Sequence, residues 1–129
     1  MNMSKRADQS AGERLRSDLD AALARAAEDQ GVAALEFSEV ERQLIATACE
    51  MADWAEQLRA HRDAELAGAA RPTTLVRLSA EVRHCERMVH DLVARINFGV
   101  GPAKAPQQQR AARARWDRER ASRPVRPGA

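Results

Sequence analysis

Apolar residues recur along this chain at helical spacing. Leu44, Ala48, Met51, Ala55 and Leu58 follow one another at steps of four, three, four and three; Leu75, Leu78, Val82, Cys85, Val89, Leu92 and Ile96 alternate three and four without a miss. Such a repeat lines up one stripe of an α-helix, and its second stretch is a coiled-coil seam. The opposite side of the first stretch carries Glu39, Arg42, Glu50, Asp53 and Gln57. No stretch alternates apolar and polar residues with the period of two that a half-buried strand needs. The pattern predicts an all-α protein built on a long antiparallel helical hairpin.

Local signals place its boundaries. Ser38 and Glu41 form a Ser-x-x-Glu capping box, with Phe37 before the cap as a hydrophobic staple. The helix they open can run to about Ala67, on the order of 40 Å at the α-helical rise. Gly68-Ala-Ala-Arg-Pro72 stops it, and Thr73 or Thr74 can cap the next helix. Gly99 and Gly101-Pro102 end that one. So short a connection forces the two helices antiparallel. With the turn near residue 70, Leu44 faces Ile96, Ala48 faces Leu92, Met51 faces Val89, Ala55 faces Cys85 and Leu58 faces Val82. Cys49 and Cys85 then lie roughly 9 Å out of register along the axis, too far for an easy disulfide.

Residues 1–9 are polar and are expected to be loose. Ser10 with Glu13 is a second capping box, and Leu15, Leu19, Leu23 and Ala26 mark a helix over 10–31. Its apolar stripe is thin, so it docks on something else or is only partly ordered alone. The hairpin, residues 36–100, has the opposite problem. Ile45, Trp54, Val76, Met88 and Val93 sit beside its seam and widen each apolar face beyond one partner's needs. Either the N-terminal helix or neighbouring subunits must cover the surplus. The oligomer and core positions expected on this basis are Leu44, Met51, Trp54, Leu58, Leu75, Leu78, Val82, Val89, Leu92 and Ile96.

Charge changes the picture at the other end. Residues 104–129 hold eight basic side chains against Asp117 and Glu119, a net +6, which leaves −4 on the rest of a chain whose total is +2. Residues 101–129 therefore read as a basic, partly helical, arginine-rich tail beneath an acidic body, suited to a polyanionic partner or to self-association. Gln107 to Arg120 contains strong helix formers but no apolar seam. Arginine forks hold phosphate oxygens, and an indole adds a stacking surface. Lys104, Arg110, Arg113, Arg115, Trp116, Arg118 and Arg120 are thus candidate DNA contacts. The plain alternatives are a solubilising tail, or one that orders on a protein.

Catalytic patterns are missing. Gly99-Val-Gly101-Pro-Ala-Lys104 has the wrong glycine spacing for a phosphate loop, and no Ser or Thr follows its lysine. His61, His84 and His90 lack metal-ligand spacing. Carboxylates are interleaved with arginines, as in Glu81-Val-Arg83 and Glu86-Arg87, the habit of a solvated face. No enzyme, metal site or cofactor is expected. No apolar run is long enough to cross a membrane, and the N-terminus lacks the apolar core of a secretion signal.

The order of these features resembles the small terminase subunits of actinobacterial bacteriophages and prophages. The likeness is carried by Glu41-Arg42-Gln-Leu44-Ile45-Ala-Thr-Ala48-Cys49 in one helix and by Leu78 through Arg83 and Asp91 through Ile96 in the next. Ala-Ala-Arg-Ala-Arg-Trp at 111–116 is its most specific element, and the whole covers about residues 35–120. The resemblance implies a non-catalytic DNA-packaging factor in the cytoplasm of a bacterial host. It would assemble with itself, as a ring, engage double-stranded viral DNA, and recruit or regulate the large terminase subunit. Many such subunits carry an N-terminal helix-turn-helix; residues 1–31 offer one helix and no turn into a second. A protein-interaction module, either a coiled-coil scaffold or an antitoxin-like regulator whose tail docks an acidic partner, is the alternative from a different class.

Overall fold

The computed structural model describes residues 3–98, 115 and 118–122. These are all-α, with no strand among the described residues. Four helices fill the first unit: α1 (Met3–Ala7), α2 (Ala11–Gln30), α3 (Glu39–Ala67) and α4 (Pro72–Val93). Residues 118–122 are helical within a second unit beginning at Val100.

The hairpin of α3 and α4 forms in the expected register. Ala55, Leu58, Val82 and Cys85 make one buried cluster, with Leu78 packed against it. The Arg59–Glu86 ion pair and the hydrogen bond from the Asn97 amide to Glu41 bracket that register from either end. Small side chains at Ala48 and Ala55, both essentially inaccessible, leave α3 smooth enough for close approach. Cys49 and Cys85 are both free thiols. Burial pushes the pKa of each above its ordinary value.

Both ends of α4 differ from expectation. Neither Thr73 nor Thr74 caps it: Arg71 is the N-cap, makes no side-chain cap bond, and Pro72 starts the helix. Proline at this position has no amide to satisfy, and the Arg71 side chain is spent on Glu65 instead. At the other end α4 stops at Val93, not near Gly99. The Arg95 and Ile96 amides donate to the Leu92 and Val93 carbonyls, three residues back, a tightened turn. Ile96 therefore leaves the helix yet stays buried, against Leu19, Phe37 and Ile45.

That second cluster answers what α2 does. It runs antiparallel to α3, from Gly12 beside Asp53 to Gln30, whose side-chain amide donates to the Phe98 carbonyl. Leu15, Leu19 and Leu23 pack at the open base of the hairpin. Ile45, expected beside the seam, is fully buried, whereas the predicted seam residue Leu44 is half-buried. The cause is the third helix, which rotates the most buried stripe of α3 to lie between two partners. Phe37 joins this cluster and meets Phe98 edge-on, with ring centroids 6.1 Å apart, while the Arg16 guanidinium lies 5.9 Å from its ring centre. Gly31 ends α2 at φ +68°, and the Val32 amide closes back onto the Ala27 carbonyl. Residues 3–7, expected to be loose, form α1, and Arg6 pairs with Asp18 at 3.1 Å.

Candidate functional site

The expected DNA contacts fall mostly beyond the description. Lys104, Arg110, Arg113 and Trp116 lie outside the described residues, as does the glycine-containing segment 99–104. Arg115, Arg118 and Arg120 are described; all three are helical and exposed. The Ser122 hydroxyl donates to the Glu119 carbonyl inside the same short helical segment.

The expected core and oligomer positions divide into three groups. Leu58, Val82 and Ile96 are buried. Leu44, Met51, Leu75, Leu78, Val89 and Leu92 are half-buried. Trp54 is not core within the chain: it is 50% exposed, because α2 crosses α3 on the flank beyond Asp53 and leaves the indole uncovered. Val76 and Leu66, near the turn, are 67% and 64% exposed. α2 covers only the base of the hairpin, so the turn half stands as a bare pair of helices. Open grooves lie on the hairpin, one level with the start of α2 and lined by Glu50, Met51, Asp53, Trp54 and Gln57, another nearer the turn and lined by Leu75, Val76, Ser79 and Arg83.

The crossing of α2 over α3 is held by a polar latch. Ser10 caps α2 by accepting from the Glu13 amide at 3.1 Å. Asp53 accepts from the Gly12 amide at 2.7 Å, and Glu56 accepts from the Ala11 amide at 3.3 Å and from Arg14 at 2.8 Å. Two carboxylates of one helix thus satisfy orphan amides of another and oppose its positive dipole end. Gly12 permits the approach: a Cβ there would lie 2.5 Å from the Cys49 carbonyl oxygen and 2.7 Å from an Asp53 carboxylate oxygen. The hydrogen bond from Arg14, then that from the Ala11 amide, hold the Glu56 carboxyl below its ordinary pKa. The Ser10 cap was expected from the sequence; the contacts from Asp53 and Glu56 were not. The only trace of those inter-helix contacts in the sequence is a glycine in the first turn of a capped helix.

Two further carboxylates fasten the ends of the hairpin. Glu65 accepts from the Arg71 backbone amide and from two nitrogens of its guanidinium, at 2.7–3.1 Å. These bonds depress the Glu65 pKa and raise that of Arg71. Glu41 completes the predicted capping box with Ser38 and also accepts from the Asn97 amide, 3.1 Å away. Its pKa is lowered, chiefly by the Ser38 amide. His61, His84 and His90 all point to solvent. No described helix is long and apolar enough to cross a membrane.

Comparison with protein-family models, with curated proteins and with solved structures returns no match.

Proposed function

We propose that this chain is a non-catalytic DNA-packaging adaptor of the small-terminase kind. It assembles with itself through the bare half of the hairpin, holds duplex viral DNA with its basic tail, and engages the large terminase subunit in the host cytoplasm. The observation that carries the reading is the set of uncovered apolar side chains on the hairpin: Val40, Trp54, Leu66 and Val76 are 50–68% exposed. Exposed apolar side chains concentrated on one substructure mark association surfaces. The tail's net +6 supports a polyanionic partner, and the family resemblance of the helices and the tail hexapeptide supports packaging.

Native mass measurement and DNA titration test it together. A closed oligomer is expected, with DNA affinity that falls steeply as salt rises and drops when residues 104–129 are deleted. A monomer at every concentration would sink the assembly half of the reading. Unchanged DNA affinity after the deletion would move the tail's role to the large subunit. A dimer that co-purifies with a toxin would favour the antitoxin-like regulator instead.

A further inference from the structure

The two open grooves of the hairpin are opposite in chemistry and close in size, about 340 and 300 Å³. On α3, Glu50, Asp53, Trp54 and Gln57 fall at i, i+3, i+4 and i+7, the four corners of a hole that takes a side chain of a facing helix. That groove holds carboxylates and no base. The groove on α4 holds Arg83 and no carboxylate. Val76 stands out from it at 67% exposure, beside the notch left by the small Ser79. Asp53 is engaged by the Gly12 amide, but Glu50 and Arg83 are exposed and neither has an ion-pair partner among the described residues. The grooves also open on opposite sides. Trp54 lies about two and a half turns of α3 from Ile45, which packs with Leu19 of α2, so the indole points away from α2. Ser79 lies about two and three turns of α4 from Glu86 and His90, which border Ala11 at the start of α2. The α4 groove therefore opens on the side of the hairpin that carries α2.

From this match we infer that the two grooves bind each other between copies of the chain, the Trp54 groove of one subunit receiving Val76 of the next. Val76 fills the four-cornered hole, and the Trp54 indole lies in the Ser79 notch. Arg83 stands about 10 Å along α4 from Val76. In an antiparallel crossing that brings its guanidinium to the Glu50 corner, where each supplies the partner the other lacks. A desolvated aromatic anchor inside a polar rim is the arrangement that dominates protein interfaces. A second copy is the fitting occupant because one chain carries both complementary halves. Since the halves lie on opposite sides of a subunit, two copies cannot satisfy both at once. The contact is head-to-tail, and one face stays open at each end until a ring closes. The inference rests on the self-assembly half of the reading above and specifies which surfaces meet.

The test is native mass at micromolar concentration on the full chain, with one variant blocked on α3, E50R/W54S, and one blocked on α4, V76E/R83E. Loss of the indole anchor should weaken association on the order of thirtyfold, so each variant alone should be monomeric. Mixed in equal amounts they should form a heterodimer and nothing larger, because each retains the face that the other has lost. Two monomers that stay monomeric when mixed overturn the inference, as does either variant that still pairs with itself or keeps its full assembly. A charge exchange judges the same contact with exposed residues that keep helix propensity. E50R and R83E should each weaken assembly by like-charge contact, and E50R/R83E in one chain should restore it. Singles that assemble like the unaltered chain, or a double variant no better than the singles, also overturn the inference. In all these cases an oligomeric unaltered chain leaves the self-assembly reading standing. A monomeric unaltered chain removes both.

Discussion

Gly12 is the position where one missing atom decides how two helices meet. Its amide donates to Asp53 at 2.7 Å, and an added Cβ would fall 2.5 Å from a backbone oxygen of α3, which cannot swing aside as a side chain can. Alanine is elsewhere the better helix former by about 1 kcal/mol, so propensity alone would have Gly12→Ala stabilise the protein. Close contact reverses the sign: forcing a methyl group into a packed crossing costs about 1–3 kcal/mol. Gly12→Ala should therefore lower the urea midpoint and speed hydrogen exchange of the α2 amides, with α3 and α4 less affected. A midpoint equal to or above that of the unaltered chain would show that the helices move apart without cost.

At the scale of elements, carboxylates do much of the fastening. Glu41 ties the start of α3 to the chain after α4, Glu56 holds the start of α2, and Glu65 closes the turn. All three have pKa values below the ordinary 4.5 in the folded protein. A carboxyl whose folded pKa is depressed binds fewer protons folded than unfolded, so its contribution is complete above pH 4.5 and is lost as pH falls through the lowered value. The contribution of these three carboxylates should be flat above about pH 5.5 and decline below pH 4.5. Glu56→Gln should shrink that decline, as followed by urea midpoints at stepped pH. An unchanged acid limb in the variant would remove Glu56 from the account.

The same elements show which parts of the fold were legible in advance. Leu58 facing Val82 and Ala55 facing Cys85 could be paired because the seam period and a short turn together determine register. The Ser38–Glu41 box was legible because both partners lie within one turn. The latch was not, since Gly12 and Asp53 lie forty-one residues apart and no periodicity links them. Ile45 outranks Leu44 in burial for a related reason: a two-helix pattern does not reveal where the third helix will press.

For the whole molecule, the unequal cover along the hairpin makes assembly testable without breaking the fold. The base is a three-helix packing around Leu19, Phe37, Ile45 and Ile96, and the turn half is a single seam. Trp54 and Val76 belong to neither cluster and are 50% and 67% exposed. Polar replacements there remove little buried area from the isolated chain, so its stability should change by no more than about 0.5 kcal/mol. An association surface built on them would lose much more, because aromatic anchors dominate the energetics of interfaces and truncating one commonly costs about 2 kcal/mol or more. Trp54→Ser combined with Val76→Ser should therefore shift the native mass towards the monomer at micromolar concentration while leaving helical content intact. A variant that keeps its full assembly would place the subunit contacts elsewhere on the hairpin. One that loses helicity along with mass would mean that the bare half folds only when a neighbour covers it.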